Sequence, residues 1–371
     1  MAESLTQTLK TGISTVTNVR ELTIGKGRIN TLGDLLKGKR SKDAQYVIFF
    51  IDIFFEGSET LAKLPLEKND ELFFVDTALE PTTENIDLIL NKIKRLEKKT
   101  PCAIVGMGGG STLDTAKAVS NLLTNPGKAS DYQGWDLVKN PGVFKIGIPT
   151  ISGTGAESTR TCVMTNKATG LKLGMNSNFT LFDSIILDPD LLSTVPRDQY
   201  FYTGMDAYIH CMESLKGSYR NPIGDALCRE VITLCKEIFL SEDMMDDQSR
   251  ERLMAASYLG GCAIASSYVG LVHPLSAGLS VVFGTHHCLA NCMVMRSMEE
   301  HYPQGFSDFW QMAEKQQISV PRLSATPLSQ PCLERLHKAS IIHEKPLTNA
   351  LGENFLEKLT REHTASLFAK M

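Results

Sequence analysis

Four residues with metal-binding side chains follow a spacing that could hold one divalent ion. Asp206 and His210 lie four residues apart in TGMDAYIHCMES, which reads as a helix, so both side chains leave from one face. His273 and His287 lie further along, in a second helix and in the segment after it. Three imidazoles and one carboxylate suit zinc or ferrous iron better than magnesium or calcium, which prefer oxygen ligands. The set predicts a site for Fe²⁺ or Zn²⁺.

A glycine-rich turn in the first half of the chain indicates a second kind of site. Residues 102–105 form an apolar run typical of a buried strand, and a helical pattern begins at Thr112. Between them lie Gly108, Gly109, Gly110 and Ser111. Glycines let the backbone approach a pyrophosphate, and the N–H groups at the helix start bind its charge. The pattern is neither GxGxxG nor a Walker loop, so an ordinary tight turn is an open alternative.

Five motifs follow the order and spacing found in the iron-containing (group III) alcohol dehydrogenase family, which this chain resembles from about residue 45 to about residue 300. The motifs are GMGGGSTLDTAKA, PTISGTGAESTRTCVMTN, ILDPDLLSTVP, TGMDAYIHCMES and GLVHPLSAGLSVVFGTHHCLAN. The resemblance implies that the metal ligands are the four residues above and that the glycine turn binds the phosphates of a nucleotide.

The resemblance also implies further residues of a nucleotide site. The residues around the nicotinamide and its ribose would be Asp114, Thr150, Ser152, Thr154 and Lys172. Asp52 falls where the family holds the adenosine ribose, although a capping role for this residue is equally open. An acid there would repel a 2′-phosphate, so we expect NAD(P) binding with a preference for NAD.

The resemblance implies hydride transfer between an alcohol carbon and the nicotinamide, with a metal that polarises the alcohol oxygen. Catalysis would then be metal-centred, without a nucleophilic side chain. Many family members carry another histidine four residues after the first downstream ligand, and this chain has Ala277 there. His286 replaces a proline that is usual in the family, so a catalytic role for His286 is an open alternative.

The pattern is most similar to the branch of the family that oxidises the C8 primary alcohol of 3-deoxy-D-manno-octulosonate to an aldehyde in lipopolysaccharide sugar synthesis. That branch is described as an oxidase, so either NAD or molecular oxygen is the expected electron acceptor. Two alternatives stay open. A lyase resembling dehydroquinate synthase would use metal and NAD without net redox change, and a non-catalytic relative would bind metal without turnover.

The composition limits the kinds of partner that the chain is expected to bind. The chain has 371 residues and a net charge of −4, with no basic stripe, so we expect no nucleic-acid or membrane partner. The N-terminal segment MAESLTQTLKTG lacks a secretion pattern, and nine scattered cysteines without a CxxC pair favour the cytoplasm. The expected partners are a small hydroxylated substrate, with a sugar acid as one candidate, and further copies of the chain in a homodimer or larger assembly.

Periodicity divides the chain near residue 195. Five β-rich runs alternate with helical segments in the first part, and after Pro196 only helical periodicity continues. The runs are YVIFFI, ELFFVD, AIVGM, FKIGIPT and SIILDP. We therefore expect an α/β domain with a mostly parallel, Rossmann-like sheet over residues 1–195 and an all-helical metal-binding domain over 196–371, with the active site in the cleft between them.

Overall fold

The computed structural model describes residues 16–40, 46–78, 80–323 and 328–371. The segment MAESLTQTLKTG lies outside the described residues. Residues 324–327 also lie outside them, within PRLSATPLSQP (321–331), whose composition predicts a loop. The strands are β1 (Glu21–Ile24), β2 (Val47–Asp52), β3 (Glu71–Val75), β4 (Ala103–Gly108), β5 (Gly134–Trp135), β6 (Lys145–Pro149), β7 (Thr161–Asn166), β8 (Leu171–Asn176) and β9 (Ser184–Leu187).

The helices are α1 (Leu32–Lys37), α2 (Glu59–Ala62), α3 (Thr83–Arg95), α4 (Gly110–Leu122), α5 (Arg197–Lys216), α6 (Pro222–Phe239), α7 (Asp247–Ser266), α8 (Val272–Phe283), α9 (His287–Val294), α10 (Pro303–Lys315), α11 (Gln330–Ile341), α12 (Glu344–Leu351), α13 (Phe355–Lys358) and α14 (Arg361–Ala369). None of the helices in the described part of the chain combines the length and apolarity that crossing a membrane requires.

One compact unit, Thr17–Ser152 with Ala156–Thr194, is built on a six-stranded sheet. Its strand order is β1-β9-β6-β4-β2-β3, and every neighbouring pair is parallel. The interior strand β2 is buried along its apolar length, as expected for a parallel sheet that is covered on both faces. The predicted α/β fold is confirmed, and the five predicted strands form β2, β3, β4, β6 and β9.

The sequence analysis missed a second, three-stranded sheet in this unit. Strand β8 pairs antiparallel with β7 and parallel with β5. The turn from β7 to β8 contains Gly170, whose φ is 67°. Strand β1 was also missed, because ELTI is only four residues long and lies at a largely exposed edge of the sheet. All four missed strands are short or carry polar residues, so they lack the apolar runs that mark the buried strands of the larger sheet.

The other compact unit contains Gly153–Gly155 and Val195–Met371. Its described residues form helices and no strand, as predicted for the second part of the chain. The helical periodicity of NFLEKLTREHTASLFAKM, residues 354–371, predicts one helical segment, but the structure has two short helices there, α13 and α14. The helix restarts at Thr360, whose hydroxyl accepts a hydrogen bond from the N–H of His363 at 3.2 Å.

The segment Gly153–Gly155 packs against the backbone of the helical unit. Gly155 has φ 64°, and a Cβ there would lie 2.7 Å from the Cα of Gly261 on α7. Its N–H donates to the hydroxyl of Ser257 at 3.2 Å. A Cβ on Gly153 would lie 1.6 Å from the carbonyl oxygen of Thr203 on α5. These two positions require glycine for both conformation and space.

Candidate metal centre and nucleotide-binding residues

Helix α5 presents two of the predicted ligands side by side. Asp206 and His210 are one helical turn apart, and both are buried. Asp206 Oδ1 lies 3.6 Å from His210 Nε2. The helix begins after Pro196 and runs for 20 residues, so both ligands sit well inside it rather than at a frayed end. The spacing read from the sequence therefore places two donor groups on one rigid face.

Helices α8 and α9 bring the other two ligands to the same carboxylate. His273 is the second residue of α8, and its Nε2 lies 3.3 Å from Asp206 Oδ1. His287 is the first residue of α9, and its Nε2 lies 3.6 Å from Asp206 Oδ2. The ring of His273 stacks on that of His210 with centroids 4.7 Å apart. The structure thus brings together all four predicted ligands.

The pKa values of the ligand side chains depend on their burial and on the charges of their neighbours. Burial tends to raise the pKa of Asp206, but the three histidines outweigh it and hold that pKa well below its usual range. Burial lowers the pKa of His210 to about 4, although Asp206 opposes the shift. Burial also lowers the pKa of His273, but Glu213 and Asp206 outweigh burial and raise it to about 9. A buried carboxylate among imidazoles favours a positive charge at the centre.

Two further side chains contact Asp206. The Asn291 amide donates from Nδ2 to Asp206 Oδ1 at 2.6 Å, and the same nitrogen lies 3.3 Å from Nε2 of both His273 and His287. The Cys288 thiol donates to Asp206 Oδ2 at 3.7 Å. Asn291 is one turn after His287, so the i, i+4 spacing on α9 was the signal that could have shown its position.

The sequence analysis did not single out Glu213, which is completely buried on α5. Its Oε2 lies 2.5 Å from Nδ1 of His273, and its Oε1 accepts a hydrogen bond from the N–H of Val272. Glu213 follows Asp206 by seven residues and His210 by three, so the three side chains share one helical face. That spacing was a readable signal in MDAYIHCMES.

The predicted nucleotide residues gather at the carboxyl edge of the parallel sheet. Asp52 ends β2, Gly108 ends β4, and Thr150 follows β6, and these three strands are neighbours. The Thr150 N–H donates to the carbonyl of Gly108 at 3.1 Å. The chain leaves β2 toward β3 on one side and continues in β4 and β6 on the other. The order in which the strands are added therefore reverses between β2 and β4, and open α/β sheets bind ligands at such a point.

The glycine turn joins β4 directly to α4. Gly109 precedes the helix, no side chain caps it, and α4 begins at Gly110. A Cβ on Gly108 would lie 2.5 Å from the hydroxyl oxygen of Thr112. Gly108 is thus required by the packing of the strand–helix junction itself. The uncapped start of α4, Gly110 and Ser111, provides backbone N–H groups for an anion.

Asp114 and Lys172 are held by contacts within the α/β unit. Asp114 on α4 accepts a hydrogen bond from the N–H of Val163 on β7 at 2.9 Å. Burial raises the pKa of Asp114 to about 6, although Lys117 and Lys172 oppose that shift. Lys172 on β8 is buried, and its Nζ lies 2.6 Å from Glu80 Oε2.

The remaining predicted residues differ in their surroundings. Ser152 is almost completely buried, and its hydroxyl has no hydrogen-bond partner among the described residues. Thr154 belongs to the glycine segment 153–155 and is partly buried. Asp52 accepts from the N–H of Phe54 at 3.1 Å and from the Thr77 hydroxyl at 3.3 Å, so it has the capping role that the sequence left open. His286 is exposed directly before α9.

Profiles of known protein families match both parts of the chain. Residues 20–189 match the profile described as iron-containing alcohol dehydrogenase, and residues 200–319 match the profile described as Fe-containing alcohol dehydrogenase family, C-terminal. The chain belongs to the iron-containing alcohol dehydrogenase family. The resemblance found in the sequence is therefore confirmed, and the expected enzyme class agrees with this iron-containing alcohol dehydrogenase assignment.

Individual relatives within the iron-containing alcohol dehydrogenase family are about one-third identical to this chain over the aligned residues. A sulfoacetaldehyde reductase from Bilophila wadsworthia is 34% identical over 221 residues, which cover 58% of this chain and 56% of the reductase. An NAD-dependent methanol dehydrogenase from Bacillus methanolicus is 31% identical over 281 residues, which cover 73% of this chain and 71% of that enzyme. The match thus spans little more than half of the reductase.

A solved structure agrees with the fold. The alcohol dehydrogenase from Oenococcus oeni superposes with a TM-score of 0.82 over 96% of this chain and 100% of its own, at 21% identity. At that identity the likeness concerns the fold alone.

The residues present fit the groups that the iron-containing alcohol dehydrogenase family implies. One atom from each of Asp206, His210 and His273 lies within 4.8 Å of the others, and His287 contacts the same carboxylate. Imidazole nitrogens with one carboxylate oxygen are ligands that suit Fe²⁺ or Zn²⁺. The buried, unpartnered hydroxyl of Ser152 and the uncapped start of α4 fit a bound nucleotide.

Proposed function

We propose that this chain is a metal-dependent oxidoreductase that interconverts a primary alcohol and its aldehyde, with NAD as the electron acceptor. The observation that carries the proposal is the convergence of His210, His273 and His287 on the buried carboxylate of Asp206. When bound, a divalent Fe²⁺ or Zn²⁺ ion supplies Lewis-acid polarisation of the alcohol oxygen, and NAD accepts the hydride.

The chain's own residues bind and orient in this scheme. Asp206 supplies the negative charge of the ligand set, and the three imidazoles leave the set with one negative charge only. The start of α4 at Gly110 and Ser111 binds phosphate through backbone N–H groups. Asp52 at the end of β2 disfavours a 2′-phosphate by its charge, which supports a preference for NAD over NADP.

We propose 3-deoxy-D-manno-octulosonate, oxidised at its C8 hydroxyl, as the substrate to test first, because the motif pattern is most similar to that branch. One cation that would suit a sugar acid is already paired, since Arg220 contacts Asp225 through two hydrogen bonds of 3.1 and 2.5 Å. Recognition of a sugar carboxylate would therefore rely on other groups. The other proposals from sequence stand beside this one: domains at 1–195 and 196–371 with the active site between them, a homodimer or larger assembly, and a cytoplasmic location.

The substrate and acceptor are tested together in one assay. The purified protein, loaded with Fe²⁺ or Zn²⁺, is incubated with 3-deoxy-D-manno-octulosonate, methanol or 1,3-propanediol while NADH absorbance and oxygen uptake are followed. Substrate-dependent NADH formation supports the dehydrogenase, whereas oxygen uptake without NADH supports an oxidase. A reaction that consumes substrate with neither signal would favour the lyase resembling dehydroquinate synthase. Metal binding without any turnover would favour a non-catalytic relative.

Replacement of a ligand tests the metal-centred chemistry. We expect His273→Ala and His287→Ala to lose stoichiometric metal and to lower turnover by about 10³-fold or more, because several kcal/mol of charge stabilisation disappear together. His363→Ala on α14, a partly buried histidine outside the ligand set, is the matched control. Metal content by elemental analysis and initial rates are measured on the same samples. A ligand variant with full activity and no metal would rule out this scheme.

A further inference from the structure

We propose that Glu213 is a positioning residue that fixes the ring of His273 and directs its Nε2 toward the metal. The proposal rests on the metal-dependent function above and adds to it a carboxylate that is not itself a ligand. Glu213 is completely buried, and its two oxygens contact consecutive residues at the start of α8. A buried carboxylate is costly unless its oxygens are satisfied, so these contacts account for its presence here.

The geometry gives each nitrogen of His273 a separate role. Nδ1 lies 2.5 Å from Glu213 Oε2, and Nε2 lies 3.3 Å from Asp206 Oδ1. An ionised carboxylate only accepts hydrogen bonds, so the imidazole hydrogen belongs on Nδ1. With that hydrogen on Nδ1, the lone pair of Nε2 would be available to a metal held by the other ligands. Carboxylate contacts of this kind orient a metal-binding histidine and increase its basicity.

His210, the histidine ligand on α5, has no such carboxylate partner among the described residues. His210 Nδ1 is buried and has no hydrogen-bond partner among the described residues. Its ring is instead fixed by its place in the middle of α5 and by stacking on His273. His273 lies in the first turn of α8, where backbone order is usually lower than in the middle of a helix. Of these two histidines, the one nearer to the start of its helix therefore has a carboxylate behind it.

Glu213 also connects two helices that supply ligands. It lies on α5 with Asp206 and His210, and it accepts from the N–H of Val272, in the first turn of α8. A carboxylate at a helix N-terminus is favoured by the helix dipole and by the free N–H groups there. The hydroxyl of Tyr302 accepts from the N–H of the preceding residue, Leu271, at 3.0 Å. The start of α8 is thus fixed from both sides.

The substitution Glu213→Gln tests the role with little change of shape. The carboxamide has one acceptor oxygen, so it cannot accept from both Val272 and His273, and its NH₂ would favour a hydrogen on Nε2 if it faced Nδ1. We expect zinc affinity, measured by chelator competition, to fall about 10- to 100-fold. We also expect the visible absorption bands of the Co²⁺-substituted protein to shift, because the position of His273 changes.

The matched control is Asp308→Asn. Asp308 is another buried carboxylate of the helical unit, where it accepts from the Tyr208 hydroxyl at 3.1 Å and pairs with Lys236 at 2.6 Å. Its loss destabilises the fold without altering the ligand set, so zinc affinity should stay within about twofold of wild type. Glu213→Gln with wild-type zinc affinity and an unchanged Co²⁺ spectrum would overturn the proposal.

A measurement on the unmodified protein covers the case in which Glu213→Gln does not fold. In the zinc-loaded wild type with ¹⁵N-labelled histidine, we expect His273 to carry its hydrogen on Nδ1 and the metal on Nε2. A His273 whose Nδ1 carries no hydrogen would overturn the proposal. A wild-type protein that binds no zinc, iron or cobalt would instead overturn the proposed function, and the role of Glu213 with it.

Discussion

The amide of Asn291 lies at the centre of the ligand set. Its Nδ2 is within 3.3 Å of three ligand atoms, from Asp206, His273 and His287. Each imidazole Nε2 has a single lone pair, so an N–H donor and a cation cannot share it. We therefore expect the Asn291 amide to satisfy the buried carboxylate of Asp206 in protein depleted of metal, and to exchange with a metal at His273 and His287 when one binds.

This exchange predicts how Asn291→Ala changes stability. The variant leaves Asp206 without its donor in the metal-free protein, which should cost about 1–3 kcal/mol, whereas the metal-loaded protein should lose less. The free energy of unfolding is measured in urea, with saturating Zn²⁺ and with a chelator. The difference between these two conditions should be larger for Asn291→Ala than for wild type. Asn349→Ala, which removes a buried amide that donates to Tyr268 and Val269, should destabilise both forms equally. Equal chelator effects for Asn291→Ala and wild type would contradict the exchange.

Asp114 should make stability depend on pH in a direction that its environment determines. Its folded-state pKa of about 6 exceeds the ordinary value of 3.8, so ionisation opposes folding as pH rises from about 4 to about 6. Asp114→Asn removes this ionisation and keeps an oxygen that can accept from Val163. Without nucleotide, the unfolding free energy of the variant relative to wild type should increase by up to about 3 kcal/mol from pH 4 to 7.

The control for this comparison is the exposed carboxylate of Asp34, which pairs with Lys37 on the surface. Urea titrations of Asp114→Asn, Asp34→Asn and wild type at several pH values supply the measurement. Parallel stability curves for Asp114→Asn and wild type would show that the carboxyl of Asp114 does not carry a raised pKa.

At the scale of elements, two glycines have nearly the same backbone conformation but different surroundings. Comparing them separates the cost of steric crowding from the cost of a strained backbone. Gly155 has φ 64° and Gly170 has φ 67°, but a Cβ on Gly155 meets the backbone of Gly261 whereas a Cβ on Gly170 meets nothing within 4 Å. We expect Gly170→Ala to cost about 1–2 kcal/mol from conformation alone. Gly155→Ala should cost at least about 2 kcal/mol more, because backbone atoms must move. Denaturant unfolding of both variants measures these losses of unfolding free energy. Equal losses for the two variants would contradict the close packing at Gly155.

Element patterns explain which parts of the site were predictable. Asp206 and His210 were readable because a helix fixes side-chain direction every four residues, and the buried strands β2 and β4 were readable as apolar runs. The contact between Glu213 and His273 joins residues 60 apart in sequence, so only the packing of α5 against the start of α8 reveals it. The sheet of β5, β7 and β8 was missed for three reasons. Strand β5 has two residues, β7 has three apolar residues in a row, and in β8 the polar Lys172 is buried whereas Leu171 and Leu173 are only partly buried.

At the scale of the whole molecule, all four ligands belong to one compact unit. They lie on α5, α8 and α9, within Val195–Met371. Metal binding to the folded protein stabilises the elements that supply ligands, so removal of metal should act on this unit first. Hydrogen exchange with and without a chelator should show lost protection in α5, α8 and α9, with β2, β4 and β6 unchanged. Uniform loss of protection in both units would contradict this expectation.

The path of the chain through its two units limits how it can be recombined with relatives. The chain leaves the α/β unit at Gly153, returns at Ala156, and leaves again at Val195. A hybrid joined once, at residue 195, would place the glycine segment of one parent against the α5 and α7 of another. Those contacts leave no room for a Cβ, so a hybrid that also exchanges residues 153–155 with the helical half should fold more readily. Residues 153–155 should thus be exchanged together with a helical unit that resumes 40 positions later, at Val195 (195 − 155 = 40).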